Sequence, residues 1–98
     1  MKELREAITE LVISVMTDDD VAVNKVMHNL SVYPLALFTD EARALLIACN
    51  GERDTIKSMA LCQNLINKGF FDQEEIAMLS EAVAWRLRER GELSDQID

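Results

Sequence analysis

Aromatic side chains are scarce in this sequence, at 5% of 98 residues, so a folded core has to be built mainly from Leu, Ile, Val, Ala and Met. Cysteine is scarce too: Cys49 and Cys62 are too few and too far apart for a C-x-x-C site or a disulfide framework. No apolar run approaches the roughly 20 residues that span a bilayer. The acidic, amphipathic start at residues 1–6 lacks the features of a signal peptide. We therefore expect a cytoplasmic protein with no membrane partner.

Basic residues are few compared with acidic ones, at 10 against 18, which makes the formal net charge −8. The excess is even along the chain, with four bases and eight acids in residues 1–49 and six bases and ten acids in residues 50–98. A field of this sign repels phosphate backbones and anionic lipids. We therefore expect no direct binding of nucleic acid.

Hydrophobic residues are plentiful, at 49%, as is typical of a folded globule rather than a disordered chain. The length suits one domain with one core. Apolar spacing and capping signals predict an all-α fold, a single compact bundle of about five short helices over residues 1–91. Residues 92–98 are expected to form a frayed acidic tail.

The first two helices are predicted from apolar residues that recur every three or four positions. The first helix covers residues 2–16, with its core stripe on one side and Ile13 projecting from the opposite side. Thr17 is predicted to cap the second helix, which runs to about Leu30. Residues 31–38 are apolar and are predicted to form a tightly packed connector, with one helical turn beginning at Pro34.

Three further helices have clear start and stop signals. The third opens at residues 39–41 and ends near Gly51; because it is apolar almost all round, we expect it in the middle of the bundle. The fourth is capped by Asp54 and ends at residues 68–69. The fifth begins with a capping box formed by Asp72 and Glu75 and ends at residue 91.

No catalytic or metal-ligating set is visible, so we expect no enzyme activity and no cofactor. The single histidine, His28, has no carboxylate at helical spacing to orient it and is expected on the surface. The acids at residues 18–20 are consecutive, without the alternation, central Gly and final Glu of a calcium loop, so we interpret them as a helix cap. Cys49 and Cys62 are interpreted as small, unbridged core residues.

Two basic features also have structural interpretations. Arg86, Arg88 and Arg90 crowd the end of the fifth helix, where they compensate the helix dipole and add solubility. A helix-turn-helix at Gly51 is rejected because the following helix begins with as many acids as bases.

The fifth helix carries a second apolar stripe, Met78, Ala82 and Trp85, about 120° from the stripe that a monomer core requires. Either the helix buries both sides between two neighbours, or the second stripe is a protein interface, where Trp and Met are common. We predict a non-enzymatic protein–protein interaction module: a regulator, inhibitor or adaptor that forms a homodimer. The predicted interface residues are Ile13, Met78, Ala82 and Trp85. An acidic nucleic-acid mimic and a secretion or assembly chaperone are alternatives.

Overall fold

The computed structural model describes residues 2–91, and this part of the chain contains five α-helices and no strand. The predicted all-α fold is confirmed, whereas the predicted tail lies outside the described residues. The helices are α1 (Lys2–Met16), α2 (Asp20–Leu30), α3 (Asp40–Cys49), α4 (Thr55–Asn67) and α5 (Gln73–Glu89), with a short 3-10 turn (Leu35–Leu37) between α2 and α3.

Side-chain caps define three of the helix starts where the sequence predicted them. Thr39 and Asp54 each accept a hydrogen bond from the backbone three residues further on, at 3.2 and 2.9 Å. At the start of α5, Asp72 and Glu75 accept from each other's backbone N–H at 2.8 and 2.9 Å, which completes the capping box. These contacts supply partners for backbone donors that a helix start leaves unpaired.

The turn between α1 and α2 differs from the prediction, because Asp19 and not Thr17 caps α2. The Asp19 carboxylate accepts from the Ala22 N–H at 3.1 Å. Thr17 is buried, and its hydroxyl donates to the carbonyl of Ile13 at 2.9 Å. The chain reverses at Asp18, which has a φ of +53°, so α2 starts three residues beyond Thr17 rather than directly after it.

The central helix of the bundle is α1, against which α2, α4 and α5 all pack. With neighbours on three sides, every residue from 11 to 15 is buried. Ile13 is only 6% exposed and belongs to the core. The expectation that Ile13 projects outward is therefore wrong, because an apolar residue off the main stripe of a central helix still meets a neighbouring helix.

Helix α3 lies at the side of the bundle and packs against α4 and α2, contrary to the prediction that it is central. One face is buried, whereas Ile47 on the other is 65% exposed. In this protein, a helix that is apolar almost all round therefore contributes an apolar surface and does not occupy the centre of the bundle.

The connector between α2 and α3 has its 3-10 turn directly after Pro34, as predicted, but it is not tightly packed. Phe38 is buried and Tyr33 is half-buried, whereas Val32, Leu35 and Leu37 are exposed. The connector thus adds apolar side chains to the molecular surface.

Candidate protein-interaction surfaces

The first surface is the α5 face, which we define as Met78, Ala82 and Trp85. Met78 is 63% exposed and Trp85, the single tryptophan, is 60% exposed, while Ala82 packs partly against the core. Large apolar side chains of this kind on an ordered helix are typical of protein interfaces. The predicted residues Met78, Ala82 and Trp85 therefore share one face, and Ile13 lies apart from them in the core.

The opposite side of α5 holds the helix against α1. Leu79 is the residue of α5 that is fully buried, and Ile76 and Val83 pack against the same core at half burial. Helix α5 does not lie between two helices that bury both of its apolar stripes. The α5 face is left in solvent for this reason.

Arginines at the end of α5 make tertiary contacts as well as compensating the helix dipole. Nη1 and Nη2 of Arg86 bind both carboxylate oxygens of Glu10 on α1, at 2.7 and 2.9 Å. Arg90 donates to the carbonyl of Thr17 at the end of α1. A bidentate arginine–carboxylate pair fixes the orientation as well as the distance between two helices, so these contacts set how α5 lies on α1.

A second arginine pair ties the start of α5 to α1. Nε and Nη2 of Arg5 donate to the two carboxylate oxygens of Glu75, each at 2.6 Å, and Nη2 also donates to the Phe70 carbonyl. The Arg5 guanidinium lies 4.6 Å from the centre of the Phe70 ring, a cation–π distance. The Arg5 hydrogen bonds, with the backbone bond from Asp72, lower the pKa of Glu75 to about 2.

The second surface is the α2–α3 groove, an open apolar depression of about 290 Å³. Its floor comes from α2 and from the buried side of the connector, and Leu35 and Ile47 form exposed edges. Most of its lining is apolar; the main contributors are Met27, Leu30, Tyr33, Phe38, Leu46 and Ile47. The sequence alone does not predict this surface, because the same apolar residues are expected in the interior.

Arg43 holds the connector in place beside the α2–α3 groove. Its guanidinium donates to the carbonyl of Phe38 at 2.9 Å and to that of Leu35 at 3.4 Å. It also forms an ion pair with Asp40 at 3.1 Å. Because Arg43 lies on α3, these hydrogen bonds tie the connector, which carries Leu35, to that helix.

The two cysteines are buried and unbridged, as predicted. Burial raises the pKa of Cys49 to about 11 and that of Cys62 to about 12. Thiols with such values stay protonated at neutral pH, whereas nucleophilic cysteines have lowered pKa values. Both side chains therefore act as core packing residues.

The remaining polar candidates are His28 and the acids at residues 18–20. His28 is exposed, as predicted. Asp19 caps α2, and Asp18 and Asp20 bind Arg53. Over residues 2–91, no group of three or more His, Cys, Asp or Glu side chains is placed to hold a metal ion. No helix in this range is long and apolar enough to cross a membrane.

Comparison with known proteins adds no assignment, since no family model, curated protein or solved structure matches the chain.

Proposed function

We propose that the protein is a non-enzymatic protein–protein interaction module, a small regulator, inhibitor or adaptor that forms a homodimer through the α5 face. The observation that carries the proposal is the exposure of Met78 and Trp85 on a well-capped helix whose other side is already packed. Trp is one of the residues most enriched among the energetic centres of interfaces. Covering this face with a second protein removes a large apolar side chain from water.

The α2–α3 groove supports an adaptor role within the same proposal. It has exposed apolar residues at Leu35 and Ile47, and buried ones at Leu30 and Phe38. An apolar side of a partner helix is the ligand that such a groove accommodates. The groove is formed by α2, the connector and α3, and it shares no residue with the α5 face.

The test is the substitution Trp85→Glu, examined by light scattering behind a sizing column and by thermal melting. We expect a wild-type dimer and a folded Trp85→Glu monomer, because truncating an interface Trp commonly costs about 2 kcal/mol or more of binding energy. The melting temperature should change mainly through the loss of dimer. Since Trp85 is mostly exposed in the protomer, its replacement should leave the fold largely intact.

The matched control is Ile56→Glu, which places the same charge at a residue that is 81% exposed on α4 and belongs neither to the α5 face nor to the lining of the α2–α3 groove. This variant should remain a dimer. A monomeric wild type whose Trp85→Glu form unfolds would contradict the proposal, and so would equal loss of dimer in both variants.

A further inference from the structure

We propose that Asn50 is a site of spontaneous covalent modification, at which the backbone nitrogen of Gly51 attacks the Asn50 side chain and converts it to aspartate or isoaspartate. The conversion adds a negative charge to the rim of the α2–α3 groove. The site itself is independent of the proposed function, and only its effect on partner binding rests on that function. The sequence Asn50–Gly51 and the conformation of its backbone support this site.

The reaction needs only water and the neighbouring peptide nitrogen. The Gly51 nitrogen gives up its proton to hydroxide and forms a bond to Cγ of Asn50, while the Cγ–Nδ2 bond breaks and Nδ2 leaves as ammonia with a proton from water. The product is a five-membered succinimide ring. Water then opens the ring at either carbonyl, which gives aspartate at one and isoaspartate, with the main chain running through the side chain, at the other. This chemistry makes asparagine one of the thermally labile residues.

Solvent exposure does not distinguish Asn50 from the other asparagines, because all five in the chain are exposed. The other four belong to helices: Asn24, Asn29, Asn64 and Asn67. Inside a helix, the N–H that follows an asparagine is bound to the carbonyl four residues back. Even after Asn67, the last residue of α4, the N–H of Lys68 donates to the Asn64 carbonyl at 2.9 Å. At these four positions the helix therefore holds the nitrogen that would have to attack.

A different backbone follows Asn50, the one asparagine of the chain that precedes glycine. Asn50 itself has a ψ of 118°, outside the helical region, at the end of α3. Gly51 has a φ of +81°, and a Cβ placed on it would have nothing within 4 Å. Ring closure requires a rotation about the Asn50 backbone, which an exposed turn continued by glycine permits. The attacking nitrogen is thus in an open turn, with no side chain beside it.

The position of Asn50 connects this chemistry to the α2–α3 groove. Asn50 lines the groove together with Ile47, and the described residues of the lining are uncharged. A carboxylate there only accepts hydrogen bonds, whereas the amide both donates and accepts them. Because burying an unpaired charge is costly, we expect the modified groove to bind an apolar partner more weakly. The new charge also lies at the end of α3, where the helix dipole disfavours it.

The test follows all five asparagines in the purified, folded protein during incubation at mildly alkaline pH. Peptide mapping by mass spectrometry measures the amide lost at each position, and an isoaspartyl methyltransferase detects isoaspartate. We expect Asn50 to convert first, to both aspartate and isoaspartate, and the reacted protein to elute with Asn50→Asp on anion exchange. An Asn50 that converts no faster than Asn24 would overturn the proposal. So would aspartate without isoaspartate, because direct hydrolysis by water gives that product alone.

Two variants test the roles of Asn50 and Gly51. Asn50→Gln lengthens the side chain, so that attack would close a six-membered ring, and residue 50 should stay unmodified over the same period. Gly51→Ala adds a side chain beside the attacking nitrogen and should slow the conversion several-fold. Because a φ of +81° strains alanine, a melting curve and the helical asparagines in the same sample show whether the fold has loosened.

A folded Gly51→Ala protein that converts Asn50 at the wild-type rate would show that Gly51 has no part in the reaction, and an equally fast conversion of Asn50→Gln would exclude ring closure. These measurements do not depend on the oligomeric state. Their outcome therefore tests the site separately from the proposed homodimer, which light scattering of the wild type tests.

Discussion

Arg53 and Asp20 lie 33 residues apart in sequence and form an ion pair that joins the α1–α2 turn to the α3–α4 turn. Nε and Nη2 of Arg53 donate to one carboxylate oxygen of Asp20 at 3.2 and 2.9 Å. The guanidinium also binds Asp18 and donates to the Ser58 hydroxyl at 2.9 Å. Burial acts to lower the pKa of Arg53, but the hydrogen bonds to Asp18 and Asp20 outweigh it and the pKa is raised. Arg53 is therefore a charged group within the fold.

The first prediction follows from the unequal burial of this cluster, since the Arg53 side chain is 3% exposed and both carboxylates reach solvent. Replacing Asp18 and Asp20 by Asn leaves the Arg53 charge without its counter-ions and should lower the free energy of unfolding by about 1–3 kcal/mol, because both carboxylates are partly screened by solvent. Arg53→Met removes the buried charge itself and should cost about 1 kcal/mol or less. Urea denaturation of the two variants measures both values, and a larger loss for Arg53→Met would contradict this account.

The second prediction concerns acid. Because the pKa of Glu75 is lowered to about 2 in the fold from its ordinary value of 4.5, its ionised form stabilises the native state. This contribution is fully present above pH 4.5 and is lost as the pH falls toward 2. Glu75→Gln keeps an oxygen for the capping box and removes the charge. We expect it to cost about 1 kcal/mol at pH 7, because Arg5 is partly exposed and the pair is screened.

Urea denaturation at pH 7 and at pH 2 measures this contribution of Glu75. The difference between wild type and Glu75→Gln should shrink at the lower pH. A difference that stays constant over this range would show that the carboxylate of Glu75 does not carry the effect.

The third prediction uses neighbours on α3. Leu46 is buried and Ile47 is largely exposed, although the sequence alone treats them alike. Leu46→Ala should lower the free energy of unfolding by about 2–5 kcal/mol through a core cavity. Ile47→Ala should change it by about 0.5 kcal/mol or less, as expected at the surface. Chemical denaturation of both variants measures the two losses of unfolding free energy. Similar losses would contradict the position of α3 at the side of the bundle.

Helix boundaries were predictable from the sequence because capping is a local interaction. Asp54 and Asp72 bind backbone groups only three residues away, so the signal and the structure it produces lie in the same short window. Thr17 shows the limit of this reasoning. Its residue type suits a cap, but the turn at Asp18 and the burial of its own hydroxyl assign that role to Asp19.

The distribution of burial was less predictable because it depends on which helices become neighbours. Periodicity identifies apolar sides of a helix but not what covers them. Ile13 is buried since α1 has neighbours on three sides, and Ile47 is exposed since α3 is at the side of the bundle. The α5 face was recognised because its stripe is separate from the core stripe on the same helix. The α2–α3 groove was missed because its residues, such as Leu35, had been assigned to the interior.

The way α5 is attached has a consequence for its local stability. Leu79 is the residue of α5 that is buried, Ile76 and Val83 pack against the core at half burial, and the Arg5–Glu75 and Arg86–Glu10 ion pairs add to this attachment. Segments with few buried apolar contacts open at a lower free energy than the rest of a domain, and their amide hydrogens exchange earlier. Helix α5 should thus be an early-exchanging unit, more so in high salt, which screens ion pairs. Occupation of the α5 face would slow this exchange, and so couple self-association to the docking of α5 on α1.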